Sequence, residues 1–298
     1  RFPQAASKPI DSQMIHSSRF LFLLTICTLL LISCLPLSQE QSLPPVETTS
    51  STEKEETSRK PLLISSDFGK NWENTSGNLP DEIQVSFLEL KGVEIVMATD
   101  NLGLWLSREN RTTWKEIGQD LPGKKLNALY VSEEYLYVGV YREGIYRSSD
   151  EGKTWTSLNF NLPNLNVQAV HVYQHSVFVG TDLGIYQLNA EETYWEAVII
   201  GPQVLSIYDY QDKLIAGSSQ GSLLSSDGGK TWKWIRQEGA VHYTHNIDQR
   251  IYELVLNGDL IYSDDWGESW LETFYEPRSG SYVYEIAQVG ETLVMSNN

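Results

Sequence analysis

Cysteine is nearly absent from this 298-residue chain: there are two, Cys27 and Cys34, both in its first 34 residues. The rest of the chain therefore has no disulfide, thiolate nucleophile or cysteine metal site. Positive charge is also scarce, with 22 Lys and Arg against 39 Asp and Glu, a net charge of −17. Residues 1–33 carry Arg1, Lys8 and Arg19 against Asp11 alone, so the remainder holds 19 basic and 38 acidic side chains, a net −19. Such a surface repels phosphate backbones and anionic lipid, which argues against a nucleic-acid partner and otherwise serves solubility. Long hydrophobic runs are limited to Phe20–Ile32. That run is shorter than the roughly 20 apolar residues of a spanning helix and matches a secretory signal core. Metal-ligand clusters are lacking too. His242 and His245 are three apart on one expected strand and face opposite ways, a poor metal pair. No metal and no cofactor is expected.

The beginning of the chain reads as an address. Met14 marks a start, with Arg1–Gln13 upstream of it. The apolar run ends in Leu31-Ile32-Ser33-Cys34. This string resembles the bacterial lipobox, which implies lipid on the Cys34 thiol and cleavage just before it. The alternative is a plain secretory signal or an uncleaved anchor. Acyl chains tether a protein by apolar burial, about 0.8 kcal/mol per CH₂. Leu35 stands where inner-membrane retention commonly uses Asp, which favours the outer membrane in a cell with two. Residues 34–60 are rich in Ser, Thr, Glu, Gln and Pro and cannot bury enough apolar surface to offset ordering entropy. As a flexible coil they hold the following domain roughly 25–30 Å from the membrane. The expected organisation is residues 1–33 as upstream residues and signal peptide, 34–60 as lipidated tether, and 61–298 as one folded domain.

That domain is a repeat. Ser148-Ser149-Asp150-Glu151-Gly152-Lys153-Thr154-Trp155 recurs nearly unchanged at Ser225–Trp232, with Asp227 and Gly229. It recurs with small changes around Ser65, Asp67, Gly69 and Trp72, and around Ser263, Asp265, Gly267 and Trp270. Two worn copies end at Trp114 and Trp195. The six tryptophans Trp72, Trp114, Trp155, Trp195, Trp232 and Trp270 are 42, 41, 40, 37 and 38 residues apart, the period of a repeat architecture. Within one period, Leu126–Val131, Tyr135–Val140, Ile145–Ser148 and Trp155–Leu158 are short runs rich in β-branched and aromatic residues, bounded by turn residues. Four short strands per 40 residues, repeated radially, predict a β-propeller blade.

The string Ser-x-Asp-x-Gly-x-Thr-Trp resembles the Asp-box, or bacterial neuraminidase repeat, of sialidases, sortilin-type receptors, xyloglucanases and photosystem II assembly factors. The resemblance covers about residues 61–298 and implies a fold, not an activity. It also implies that the box lies at the periphery. Its residues suit a hairpin fastener: Asp accepts turn amides, Gly permits a positive φ, and Trp offers an apolar body with one N–H.

Five complete units, 82–121, 125–162, 166–201, 204–239 and 240–278, are flanked by two complementary fragments. Tyr282–Ala287 and Thr292–Ser296 supply a first and a second strand, and Pro61–Ser65 with its box a third and a fourth. The expected fold is all-β, a six-bladed β-propeller of four-stranded blades whose last blade is shared between the termini by pairing Leu62–Ser65 with Leu293–Ser296. Seven blades would require a truncated chain.

Function is expected on the opposite end from the boxes, where second-to-third turns and first strands meet. The candidate ligand-face residues are Gln84, Asp100, Asn127, Arg142, Glu143, Gln168, Asp182 and His242. The primary expectation is a monomeric, non-catalytic cell-envelope lipoprotein that binds a protein or glycan. The alternative is a sialidase-like or other glycoside hydrolase. Sialidases carry an arginine in a Phe/Tyr-Arg-Ile-Pro motif before the first box, and Ser58-Arg59-Lys60-Pro61-Leu62 lacks it. Of the other arginines only Arg142, Arg236 and Arg278 are expected near the ligand face. A two-carboxylate glycosidase would draw on Asp100, Glu143 or Asp182, and no spacing singles out a pair.

Overall fold

A computed structural model describes residues 62–64, 71, 73–91, 94–108, 112–247, 250–255, 259–273, 283–289 and 292–297. The chain divides into Arg1–Lys54 and Glu55–Asn298, and every described residue belongs to the second unit. The expected leader, Cys34, the tether and the first box (Ser65, Asp67, Gly69, Trp72) lie outside the described residues.

Among the described residues the structure is all-β. The first sheet comprises β3 (Val85–Lys91), β4 (Glu94–Thr99), β5 (Leu104–Ser107) and β6 (Trp114–Ile117). The second comprises β7 (Leu126–Val131), β8 (Leu136–Val140), β9 (Gly144–Ser148) and β10 (Thr156–Ser157). The third comprises β11 (Val167–Tyr173), β12 (Ser176–Thr181), β13 (Gly184–Leu188) and β14 (Trp195–Ile200). The fourth comprises β15 (Val204–Tyr210), β16 (Lys213–Ser218), β17 (Gly221–Ser225) and β18 (Lys233–Arg236). The fifth comprises β19 (Val241–Ile247), β20 (Arg250–Val255), β21 (Leu260–Ser263) and β22 (Leu271–Glu272). Each is an antiparallel meander, in chain order across the sheet. The five repeat units thus form five such sheets, and the first strands β3, β7, β11, β15 and β19 lie side by side in that order. This is the arrangement of a β-propeller.

The second strands are buried almost throughout, because each is sandwiched between neighbouring sheets. Small residues permit the close approach. A Cβ on Gly180 would lie 2.7 Å from Val204 of the next sheet. The core consequently runs between sheets: Val138 and Leu126 pack with Val96 and Leu104, and Phe178 packs with Leu214 and Val204.

The terminal fragments form two separate two-stranded sheets, β1 (Leu63–Ile64) with β2 (Glu73–Asn74), and β23 (Val283–Val289) with β24 (Thr292–Asn297). Among the described residues no ladder joins β1 to β24, so the pairing expected between Leu62–Ser65 and Leu293–Ser296 is not observed. β23 lies beside β19. Leu62 and Leu79 pack against Ile95, Met97 and Trp114 on the outward side of the first sheet. Nearer its inner edge, Leu88 (41% exposed) and Leu90 (67%) are uncovered. The corresponding strands β7 and β11 have no exposed residue.

Candidate functional site

The boxes come first, because their chemistry proves to be internal. Ser148 Oγ donates to Asp150 Oδ1 at 2.8 Å and accepts the Gly152 N–H at 2.8 Å. Asp150 Oδ1 also accepts the amides of Lys153 (3.1 Å) and Thr154 (2.9 Å), and Oδ2 accepts the Thr154 hydroxyl at 2.7 Å. Asp227 and Asp265 repeat the pattern with Thr231 and Ser269. In all three the hydroxyl four residues on is the main reason the carboxyl pKa falls to about 2. A carboxylate so saturated and so acidic is a turn fastener, not an acid or base at neutral pH.

The worn copies are repaired by asparagines. Asn189, one residue before the usual Asp position, uses Oδ1 to accept the amides of Thr193 (2.8 Å) and Tyr194 (2.9 Å). Glu192 takes the glycine position with φ 54° and is held by bidentate bonds from Arg147. Trp195 is gripped from the preceding sheet: Asn161 accepts its backbone N–H at 2.8 Å and donates to its carbonyl at 3.2 Å. Its indole donates to the Leu158 carbonyl. Asn78 grips Trp114 in the same way. By contrast, Trp155 and Trp232 donate to the glycine carbonyls of their own boxes.

At the other end of the sheets, the turn between β12 and β13 presents Asp182. The adjoining first strands begin at the same end, since Val167 pairs with Thr181. Asp182 is the acceptor at the centre of an amide cluster. Asn166 donates to Oδ2 at 2.7 Å, and Gln203 (2.7 Å) and Gln168 (3.4 Å) donate to Oδ1. Asn127 of the second sheet donates to Asn166 Oδ1 at 3.3 Å. The cluster thus spans three consecutive sheets. Exposed Leu165, Leu183 and Ile200 surround it in the chain, and Ile200 pairs with Gly184 just after Leu183.

Of the expected ligand-face residues, Asn127, Gln168 and Asp182 are therefore brought together. Gln84 and Asp100 meet through the Asp100 N–H and the Gln84 carbonyl at 2.8 Å, and the Asp100 carboxylate pairs with Lys125 at 2.7 Å. Arg142, with φ 62°, stacks over the Tyr141 ring at 4.9 Å. Glu143 stays exposed in the same turn, its carbonyl accepting from Asn159. His242 is exposed on β19, yet surrounding protein mass lowers its pKa below the ordinary histidine value. It is not drawn into the Asp182 cluster. Arg236 lies at this end of the fourth sheet, opposite Ser222 beside the β16–β17 turn, but its side chain is largely buried, with Nη1 3.5 Å from Glu253 of the next sheet. Arg278 lies outside the described residues. Asn166 and Gln203, central to the cluster, were missed because they precede their strands by a residue.

Two further groupings matter. His171 Nε2 lies 2.8 Å from Asp209, and its ring meets Tyr130 edge-on, bracing the second, third and fourth sheets. Burial lowers the His171 pKa, and Asp209 only partly opposes this, so the pair holds mainly as a neutral hydrogen bond. A cleft of about 490 Å³ lies away from the Asp182 cluster, between the β5–β6 side of the first sheet and the box of the second. Among the described residues no group of three or more His, Cys, Asp or Glu could hold a metal ion.

No protein-family model and no curated protein matches the chain. Solved structures do. The extracellular domain of the putative one component system BT4673 from B. thetaiotaomicron matches with a TM-score of 0.67 at 12% identity, over 80% of this chain and 34% of that one. This chain thus spans about a third of that domain. YCF48 from Cyanidioschyzon merolae matches with a TM-score of 0.60 at 15% identity, over 80% and 86%. A structure of YCF48 bound to D1 peptide matches with the same score over 77% and 81%. At these identities the likeness concerns the fold, and it agrees with the propeller arrangement.

Proposed function

We propose that this chain is a non-catalytic binding propeller of the cell envelope that engages a protein or glycan partner through the face around Asp182. The observation that carries the reading is the amide cluster on Asp182. Carboxylate and amide groups from three sheets, beside exposed Leu165, Leu183 and Ile200, offer the mixed polar and apolar surface of a recognition site. The same geometry speaks against hydrolysis. Asp182 is occupied by amide donors, Asp100 by Lys125, and Arg236 is turned inward. The lipobox-like Leu31–Cys34 supports a lipid anchor on Cys34, with residues 35–60 as spacer. An extracytoplasmic setting, in the outer membrane where there are two, is part of the same proposal. The Asp-box hairpins support a propeller of six blades, the sixth divided between β23–β24 inside and β1–β2 outside.

The test is capture of envelope proteins and glycans on the full chain and on Asp182→Ala and Gln203→Ala variants, beside a panel of chromogenic glycosides that includes a sialoside. A partner retained by the parent and lost by both variants is the expected result. Glycoside turnover that disappears on mutating Glu143 or Asp182 would overturn the non-catalytic reading.

A further inference from the structure

We propose that the seam between the first and second sheets is a second binding site, for an acidic peptide segment bearing apolar side chains. Its floor is Leu106 and Ile117, both at least nine-tenths buried. Its walls carry Arg108, Lys115 and Lys153, three cations around one cleft in a chain of net charge −17. At about 490 Å³ the cleft accepts a few side chains, within the range of ordinary ligand sites.

The one carboxylate in the wall does not cancel this field. Glu151 is engaged with Arg108 at 2.6 Å, and Arg108 is held from its other side by Glu94 at 3.3 Å. The guanidinium is thereby fixed in place, while Lys115 on β6 and Lys153 in the box stand exposed at the rim. The walls are preformed. The Gly118 N–H donates to the Gly152 carbonyl at 3.0 Å, and a Cβ on Gly152 would lie 2.8 Å from Ile117 Cδ1. The box hairpin is therefore docked tightly against the first sheet, and binding would cost little ordering.

Comparison with the seam between the fourth and fifth sheets shows why space remains. There the box position matching Glu151 is Trp266, whose ring stacks on Tyr210 at 5.5 Å beneath Lys213. That aromatic occupies its seam, and a glutamate turned toward Arg108 does not. The apolar floor favours a peptide with hydrophobic side chains over a bare polyanion, which the overall negative field repels. The cationic rim selects acidic neighbours on that peptide and makes the interaction salt-sensitive.

The experiment uses the full chain and a fluorescent peptide of alternating Glu and Leu, with a Gln–Leu peptide as control, read by anisotropy at low and high salt. The Glu–Leu peptide is expected to bind at low salt and weaken at high salt. The Lys115→Glu/Lys153→Glu double variant should lose about tenfold or more in affinity, and Lys115→Gln/Lys153→Gln several-fold, with unfolding temperatures near the parent's. Asp182→Asn should leave this binding unchanged. Equal binding of both peptides, absence of binding near millimolar peptide, or parental affinity in the folded Gln variant would each overturn the proposal. Peptide binding lost in Asp182→Asn and kept in both lysine variants would overturn it too, and would leave the Asp182 reading standing.

Discussion

Glu253 offers a direct test of how the sheets are held together. It lies in the middle of β20, is fully buried, and faces the fourth sheet. The groups around it are Arg236 on β18, Ser222 on β17 and Tyr208 on β15, which in turn feels Tyr243 on β19. Arg236 approaches only to 3.5 Å, Ser222 Oγ lies nearby outside hydrogen-bonding geometry, and Glu253 Oε1 has no hydrogen-bond partner. Burial therefore dominates and raises the carboxyl from 4.5 to about 7, with Ser222 and Arg236 opposing it only in part. The sign follows from proton uptake. The folded state holds this proton more tightly than the unfolded state, so the contribution to stability is greatest below pH 4.5, declines up to about pH 7 and is flat above. Between pH 5 and pH 8 that difference is on the order of 2–3 kcal/mol. Glu253→Gln keeps the shape and cannot ionise. Denaturant unfolding of parent and variant at pH 5, 6, 7 and 8 cancels every other titrating group. The variant should gain roughly 2–3 kcal/mol on the parent across this range, or about 5–10 °C in unfolding temperature for a domain of this size. Parallel pH profiles for the two proteins would refute the argument, because they would mean that Glu253 is either well paired or hydrated in the fold.

Two smaller predictions concern the hairpins. Asn161→Ala removes both hydrogen bonds to the Trp195 backbone across a sheet seam and should destabilise by about 1–3 kcal/mol, read by denaturant unfolding. The pKa of Asp150 is depressed to about 2, so its stabilisation is complete above 3.8 and fades as pH falls through 2. Asp150→Asn should therefore lower the unfolding temperature at neutral pH, with the gap to the parent closing in strong acid.

The repeat was legible because its signals are local. A tryptophan every 40 residues and a self-contained hairpin identify the unit, and β7 spans the six residues expected of it, Leu126–Val131. The fourth strand was read one residue early. Trp155 belongs to the box turn, where its indole donates to the Gly152 carbonyl, and β10 begins at Thr156. The asparagine repairs escaped notice because they are displaced: Asn189 acts one position early, and Asn78 and Asn161 act on the following repeat. The signal for the latter two was present in the strings Asn78-Leu79-Pro80 and Asn161-Leu162-Pro163. The inward pairing of Arg236 with Glu253 was not foreseen. An acidic residue inside Ile251-Tyr252-Glu253-Leu254-Val255 is costly to bury, and that cost could have pointed to a cation across the seam. The Asp182 cluster was half legible, because turns and strand starts mark an end of a sheet, whereas amide-to-carboxylate geometry is set by the way three sheets splay.

The bare face of β3 bears on how the ring is completed. On its outward side the first sheet is already covered by Leu62 and Leu79, the position that third and fourth strands of a preceding blade would take. What remains uncovered is the inner half, where Leu88 and Leu90 lie. An apolar inner strand is stable only against another sheet, since an exposed one invites association with other chains. The other fragment, β23–β24, is a first and a second strand, and so has the width of the missing half. It already lies beside β19 at the far end of the row. Two separate two-stranded sheets and one half-covered face are the observations on which the proposed sixth blade rests, and no ladder joins the two sheets among the described residues.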